Sequence, residues 1–245
     1  MHIILTKDYA EMSQKAADLF EEVIQKQDQP VVNINTGGTM RGFYDELVHR
    51  DIDLSATTVM VLDEYIGPKD APYTVYRYMH EVFLDHLQHQ PKATYFINGA
   101  TTDPQAEIAR YQQLLADNPR DFQLLGLGTN GHIGANEPGT AFDSEMFLAQ
   151  HDQSTVDSTI KEYDLDPEMA PNQMLTLGFK EIMAADEILL LISGAHKAEA
   201  TKAFLEGEIT EEVPVTHLRN HPNVTVILDE EAAQALSEDT LKGFA

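Results

Sequence analysis

The sequence predicts an α/β protein: a single domain with a Rossmann-like, mainly parallel sheet and helices on both of its faces. Three observations support this. Short apolar runs alternate with segments of helical periodicity along almost all of the 245 residues, as in strand–helix–strand units. Several of these runs, such as TTVMVL, EILLLI and VTVIL, are continuous, which is typical of strands covered on both faces. No linker, repeat or low-complexity segment divides the sequence, so we expect one domain over residues 1–245.

Seven apolar runs are predicted to be strands because they are rich in β-branched residues or Leu. They are His2–Thr6, Val31–Asn35, Thr58–Leu62, Ala93–Ile97, Phe122–Leu127, Glu187–Ile192 and Asn223–Leu228. Five segments repeat apolar residues every three to four positions, as helices with one buried face do. They are Tyr9–Gln25, Thr74–Leu87, Asp103–Leu115, Ala195–Leu205 and Glu230–Leu241. The polar and weakly periodic segment Asp143–Gln173 is interpreted either as an inserted or mobile segment over a site or as an ordinary irregular segment on the protein surface.

The chain is strongly acidic: 16 Lys and Arg against 41 Asp and Glu give a formal net charge of −25. This charge repels phosphate backbones, so it excludes nucleic-acid binding as a default function and disfavours anionic membrane surfaces. The lack of Cys excludes a disulfide scaffold, thiolate catalysis and a Cys-based zinc site. The N-terminus has no signal-peptide pattern, and the longest apolar run is too short to span a bilayer. We therefore expect a cytoplasmic protein.

Ligands of open parallel sheets bind beyond the carboxyl ends of the strands, and three loops at such positions carry polar residues. The first, Asn35-Thr36-Gly37-Gly38-Thr39, precedes a predicted helix, and its last four residues are called the TGGT loop below. Its glycines allow close approach of a ligand to the backbone, and the helix start offers N–H groups to an anion. The alternative is an ordinary turn, because Gly-Gly pairs are frequent in turns.

The second loop begins with two adjacent carboxylates, Asp63 and Glu64, directly after the run TTVMVL. A carboxylate in this place is suited to acid–base catalysis. The alternative is that one of them only caps the next helical turn.

The third loop, GLGTNGHIGANEPG, is rich in glycine and contains one His and one Glu. His132 is the natural general base near neutral pH, and Glu137 is able to orient the imidazole and stabilise its charged form. A single His is often structural, but its place in a glycine-rich loop after a strand favours catalysis.

The third loop together with LDEYIG resembles the glucosamine-6-phosphate deaminases, also called glucosamine-6-phosphate isomerases. TGGT with GFYDEL, TVYRYMHEVFLDHL, MLTLGF, SGAHKAEA and VTVILDEEAA are similar to further blocks of that family in the same order. The related 6-phosphogluconolactonases share the fold, but they lack the Tyr of the DEY motif and the NEPG continuation. The resemblance therefore covers nearly the whole chain and favours the deaminase form.

This resemblance implies an enzyme that opens the ring of an amino-sugar phosphate, moves a proton from C2 to C1 and releases ammonia, with no metal or organic cofactor. It implies that Asp63 abstracts the C2 proton and that His132, supported by Glu137, handles the ring-opening proton. Asn130 stands where the family has Asp or Asn, and Asn is able to orient the imidazole but not to take its proton. The implied substrate-binding residues are Thr36, Gly37, Gly38, Thr39, Arg41, Gly126, Gly128 and Lys197.

The phosphate-binding part departs from the family pattern. Typical members read TGSTP where this chain reads TGGTM, so a hydroxyl donor is lost at Gly38. The family also supplies an Arg to the phosphate from the segment before MLTLGF, yet between Arg120 and Lys180 this chain has one cation, Lys161. Lys197 matches the family's phosphate-binding Lys, and Arg41 is either a substitute for the missing Arg or a solvated helix residue.

Three alternatives to glucosamine 6-phosphate turnover are compatible with this pattern. In the first, the substrate is galactosamine 6-phosphate or another sugar phosphate. In the second, the protein is a non-catalytic sugar-phosphate sensor. In the third, it is a lactonase. The retained Asp63, His132 and Glu137 argue against a sensor, and the DEY and NEPG motifs argue against a lactonase. The short C-terminal segment after LDEEAA favours a monomer or small homo-oligomer with a small-molecule ligand and no protein partner.

Overall fold

A seven-stranded parallel sheet lies at the centre of the protein. The computed structural model describes residues 1–151 and 153–244. The ten strands in these residues are β1 (His2–Thr6), β2 (Val31–Ile34), β3 (Thr58–Val61), β4 (Asp63–Tyr65), β5 (Ala93–Tyr95), β6 (Phe122–Gly126), β7 (Phe147–Gln150), β8 (Gln173–Thr176), β9 (Glu187–Ile192) and β10 (Val224–Asp229). The nine α-helices in the same residues are α1 (Tyr9–Lys26), α2 (Arg41–His49), α3 (Val75–Val82), α4 (Pro104–Asp117), α5 (Gln153–Tyr163), α6 (Phe179–Ile182), α7 (Ala198–Glu206), α8 (Glu230–Ala233) and α9 (Glu238–Leu241).

The order of the central strands places a ligand site in the middle of the sheet. The order is β1-β10-β9-β6-β2-β3-β5, and every neighbouring pair is parallel. From β2 the chain runs outward through β3 to β5 and then returns to β6 on the other side of β2. The topology thus reverses between β2 and β6, and open α/β sheets bind ligands at such a point. The predicted parallel α/β architecture is confirmed.

Packing of apolar side chains between helices and sheet holds this arrangement together. The side chain of Asp8 accepts a hydrogen bond from the backbone at the start of α1 and so fixes where that helix begins. On the buried face of α1, the Phe20 ring contacts Phe43 of α2 at 5.5 Å and Phe122 of β6 at 5.4 Å between centroids. Burial of each such aromatic side chain contributes about 1.5–3 kcal/mol to the stability of the folded protein. Together these side chains join two helices to the strand that leads into the third loop.

A second, smaller sheet was not predicted from the sequence. Its three strands pair antiparallel in the order β4-β8-β7. β7 and α5 both lie in the segment interpreted above as irregular, so that segment contains regular elements. These strands have only three or four residues each, which is too short for a periodic pattern to identify them. The same pairing makes the start of the second loop a strand, because β4 begins at Asp63.

Three predicted helices are shorter in the structure than in the sequence prediction. The helix predicted for Ala195–Leu205 begins as a 3-10 turn and is α-helical only from Ala198. The helix predicted for Thr74–Leu87 ends at Val82 and is followed by a 3-10 turn. The helix predicted for Glu230–Leu241 is divided into α8 and α9, because Ser237 caps a new helix by accepting a hydrogen bond from the backbone N–H of Thr240. Among the described residues, no helix has both the length and the apolar character needed to cross a membrane.

Candidate active site

A cavity of about 210 Å³ opens at the carboxyl ends of β2, β3 and β6, where the topology reverses. It is lined by Asn35, Thr36, Gly37, Gly38, Thr39, Met40, Asp63, Gly126, Leu127, Gly128, His132, Gly134 and Lys197. The three loops singled out from the sequence therefore meet at one cavity. Asn35, Leu127 and Gly134 also line it and belong to the first and third of these loops, whereas Met40 was not among the predicted site residues.

Asp63 is the buried carboxyl group of the cavity. It is 7% exposed, and its Oδ1 has no hydrogen-bond partner among the described residues. Burial raises the pKa of Asp63 from 3.8 to about 7, while the nearby His132 has a smaller, opposite effect on this pKa. A carboxylate that binds its proton this firmly is well suited to remove a proton from carbon and return it.

The adjacent Glu64 has a structural function. It is 2% exposed and accepts hydrogen bonds from the backbone N–H groups of Tyr65 (2.9 Å), Val75 (2.8 Å) and Tyr76 (2.8 Å). Its carboxylate therefore caps the start of α3, where unpaired N–H groups favour negative charge. Burial raises the pKa of Glu64 to about 7 although these N–H donors act against it.

Asn130 links the imidazole of His132 to Glu137. The Asn130 Nδ2 donates to Glu137 Oε2 at 2.7 Å, so its Oδ1 faces the imidazole and lies 2.8 Å from His132 Nδ1. Because Oδ1 only accepts hydrogen bonds, Nδ1 carries a hydrogen and Nε2 is the atom that takes a proton. Glu137 Oε1 lies 3.4 Å from Nδ1 and stabilises the charged imidazole. Asn130 and Glu137 thus stand behind His132 rather than in the cavity lining.

Gly128 is required by the position of the imidazole. A Cβ added at this residue would overlap the His132 ring, and the Gly128 N–H donates to the His132 carbonyl oxygen at 2.9 Å. The ring lies directly against the glycine backbone, which only a residue without a side chain permits.

The segment before β10 fastens both ends of the third loop. At one end, Val215 N–H donates to the Gly131 carbonyl oxygen at 2.9 Å. At the other end, Glu211 binds twice: its carbonyl oxygen accepts from Gly139 N–H at 2.8 Å, and its carboxylate accepts from Phe142 N–H at 3.1 Å. These bonds bracket the stretch that carries His132 and Glu137, directly after Asn130, and hold it against the cavity.

The TGGT loop and Lys197 form the opposite part of the cavity. Gly37 has a φ of 121°, which favours glycine, and a 3-10 turn over Gly38–Met40 leads into α2. Lys197 ends another short turn, which begins after Ser193 and Gly194, and both of these residues bind the carboxylate of Asp229. Burial lowers the pKa of Lys197, and its ammonium has no carboxylate partner among the described residues.

The remaining cations lie away from the cavity lining. Arg41 is exposed in the first turn of α2, with its guanidinium 5.2 Å from the centroid of the Tyr78 ring. Lys161 is exposed on α5. Arg120 is buried before the start of β6, at the end of that strand far from the cavity, where it donates to Gln123 and to the Glu181 carbonyl oxygen. In the described part of the chain, no cluster of three or more His, Asp or Glu residues is arranged to hold a metal ion.

The comparison with known proteins agrees with this geometry. The family model for glucosamine-6-phosphate isomerases/6-phosphogluconolactonase matches residues 7–227. A glucosamine-6-phosphate deaminase of Bacillus cereus (strain B4264) is 39% identical over 239 residues, which are 97% of this chain and 90% of that protein. A protein of the same name from Bacillus anthracis (strain CDC 684 / NRRL 3495) is 38% identical over the same shares of both chains.

Solved structures give the same relationship. That of a monomeric glucosamine-6-phosphate deaminase is similar with a TM-score of 0.91 and 36% identity, over 96% of this chain and 100% of that one. A 6-phosphogluconolactonase from Trypanosoma brucei shares the fold, with a TM-score of 0.79 and 21% identity over 96% of this chain and 98% of that one. The site geometry, the family model over most of the sequence and the relatives at nearly 40% identity lead to one conclusion: this chain belongs to the glucosamine-6-phosphate isomerase/6-phosphogluconolactonase family.

Proposed function

We propose that this protein is an amino-sugar phosphate deaminase that converts glucosamine 6-phosphate, or an epimer of it, into a ketose 6-phosphate and ammonia. The observation that carries the proposal is the single cavity that brings together Asp63, His132 and the TGGT loop. A buried carboxyl group with a pKa of about 7, an imidazole oriented through Nδ1 and a loop suited to an anion are the parts that this reaction needs.

The first step is opening of the sugar ring. His132 Nε2 takes the proton of the anomeric hydroxyl as the bond between C1 and the ring oxygen breaks, and it returns this proton to the ring oxygen. Asn130 and Glu137 keep Nδ1 protonated and stabilise the intervening imidazolium. Because Asn130 cannot accept the proton itself, the proton stays on the imidazole until the ring oxygen takes it.

The second step is proton transfer between neighbouring carbons. Asp63 removes the proton from C2 and delivers it to C1, while the oxygen on C1 takes up the proton that the amine gives up. The product is an imine at C2, which water hydrolyses to the ketose and ammonia. A carboxylate with a raised pKa is a stronger base than an ordinary Asp, so it removes the proton from C2 more readily.

The phosphate group is bound at the opposite part of the cavity. The hydroxyls of Thr36 and Thr39, the N–H groups at the start of the 3-10 turn and the ammonium of Lys197 are the donors that face it. This arrangement contains one cation, so phosphate binding depends on neutral donors more than on charge.

We further propose that the protein acts in the cytoplasm as a monomer or small homo-oligomer. Size-exclusion chromatography with light scattering measures its oligomeric state.

The test is ammonia release from glucosamine 6-phosphate, galactosamine 6-phosphate and the two unphosphorylated sugars. We expect turnover of a phosphorylated amino sugar and little or none of the free sugars. Asp63→Asn should abolish ammonia release, whereas Asp70→Asn, a matched change at an exposed carboxylate in the same loop, should leave it unchanged. If none of the four sugars yields ammonia, the proposed function is wrong, and a sensor that binds without turnover becomes the better explanation.

A further inference from the structure

Three tyrosine hydroxyls hold the TGGT loop from behind. Each donates a hydrogen bond to a backbone carbonyl oxygen in the loop or directly before it: Tyr44 to Asn35 (2.6 Å), Tyr78 to Gly37 (2.9 Å) and Tyr9 to Gly38 (3.2 Å). The tyrosines come from three different helices, α2, α3 and α1. The described residues that line the cavity do not include them. The loop is therefore fixed on the side that faces away from the cavity.

These bonds contribute to the direction of the loop's N–H groups. A trans peptide unit is planar, and its N–H points opposite to its C=O; the described residues contain no cis peptide bond. The three bonded oxygens share their peptide units with the N–H groups of Thr36, Gly38 and Thr39. Holding these oxygens toward the tyrosines turns the three N–H groups to the other side, where the same residues line the cavity.

The turn that follows holds two of these oxygens as well: the Gly37 carbonyl oxygen accepts from Met40 N–H at 3.1 Å, and that of Gly38 accepts from Arg41 N–H. The tyrosine hydroxyls add to this turn and fix it to the surrounding helices. Gly37 has a φ of 121° and both Gly37 and Gly38 have open space where a Cβ would be, so neither residue restricts the backbone. Hydrogen bonding to a carbonyl oxygen also polarises its peptide unit and strengthens the N–H donor, by about 10–30% per bond. Since Lys197 is the one cation in the described lining, well-directed neutral donors have to supply much of the attraction for an anion.

We infer that Tyr9, Tyr44 and Tyr78 are positioning residues that preorganise the TGGT loop so that its N–H groups bind the phosphate of the substrate, an inference that rests on the function proposed above. The tyrosines do not touch the reacting carbons. Preorganisation of a binding loop increases affinity by lowering the cost of ordering it, so the consequence is expected in KM and not in kcat.

The choice of variants follows from burial. Tyr44 is fully buried, and loss of its hydroxyl would leave a buried carbonyl oxygen unpaired, which endangers folding. Tyr9 is 37% exposed and Tyr78 is 6% exposed, so Tyr9→Phe and Tyr78→Phe remove one hydroxyl each with less risk. Tyr76→Phe is the matched control, because Tyr76 lies on the same helix as Tyr78 and its hydroxyl has no hydrogen bond within the described part of the chain.

The experiment measures KM and kcat with glucosamine 6-phosphate and the Kd of inorganic phosphate by calorimetry. Loss of one hydrogen bond corresponds to about a three- to tenfold effect, so each variant should raise KM and the phosphate Kd by that factor while kcat changes by less than about twofold. The double variant should exceed either single one, and Tyr76→Phe should match the wild type.

The phosphate measurement separates this inference from the proposed function. A raised phosphate Kd in both variants supports the inference even if no sugar is turned over. Unchanged phosphate affinity in both variants would overturn it, as would a wild-type protein that binds no phosphate. A lowered kcat with KM unaltered would also contradict it, because that result indicates a disturbed fold or catalytic group instead of a disturbed phosphate site.

Discussion

Replacing Asp63 with Asn should make the protein more stable, and increasingly so as the pH rises. In the folded protein burial raises the pKa of Asp63 from 3.8 to about 7. Between these two values the folded state holds a proton that the unfolded chain has released. Unfolding then releases a proton, and the free energy of unfolding falls with increasing pH. The stability is complete below pH 3.8 and is lost progressively up to about pH 7. Asn does not titrate, so the Asp63→Asn variant does not lose stability in this way as the pH rises.

The size of the effect follows from the two pKa values. Relative to a group with the same pKa in both states, the raised pKa of Asp63 lowers the free energy of unfolding by about 2 kcal/mol at pH 5 and about 4 kcal/mol at pH 8. The stability advantage of Asp63→Asn should therefore grow by about 2–3 kcal/mol between these pH values. Any cost of burying the amide is the same at both pH values and cancels in this difference, and so, to a first approximation, do the contributions of other titrating groups such as Glu64.

Urea unfolding at pH 5 and pH 8 measures this difference for the wild type and for Asp63→Asn. Asp70→Asn is the control, since its exposed carboxylate should give nearly the same free energy of unfolding as the wild type at both pH values. If the difference between Asp63→Asn and the wild type were the same at both pH values, the carboxyl group would have an ordinary pKa in the folded protein. The argument for Asp63 as a firmly protonated base would then fail.

Three further predictions concern activity. The kcat/KM should fall about tenfold per pH unit below about pH 7, where Asp63 takes up its proton; a profile that stays level down to pH 5 would contradict this. Gly128→Ala should reduce kcat by about 100-fold, because the added methyl group displaces the His132 ring, and wild-type kcat would show that the ring tolerates the shift. Glu211→Ala should lower kcat about fivefold, because it removes one of the two bonds that hold this end of the third loop, whereas Glu212→Ala, at an exposed residue, should have no effect.

The central sheet was predictable because its strands are recognisable locally. β9 and β10 are continuous apolar runs that stay buried along nearly their whole length, and burial on both faces leaves that pattern in the sequence. β4, β7 and β8 are short, and they exist because they pair with one another; β4 pairs with β8 across more than a hundred residues. Such pairing leaves no periodic signal in any one segment, and so the small sheet was missed.

The same distinction applies to the site. Asp63, His132 and the TGGT loop stand in conspicuous motifs after strands, and the structure brings them to one cavity. The hydroxyls of Tyr9 and Tyr78 reach the loop from 29 and 41 residues away in the sequence. Each of these tyrosines reads as an ordinary residue of an amphipathic helix, so their function depends on how helices pack and was not visible before the fold was known.

The start of β4 contains two carboxylates of nearly equal chemistry, and only the strand geometry assigns them different functions. Successive residues of a strand point to opposite faces; accordingly Asp63 lines the cavity of the candidate site and Glu64 turns to the start of α3. The pairing of Asp63 with Thr176 of β8 fixes which of the two faces the cavity. A one-residue deletion before this strand would turn Glu64 toward the cavity and Tyr65 toward α3, and an insertion would turn Asp63 toward α3. The chain length before β4 is therefore constrained as strictly as the residue type.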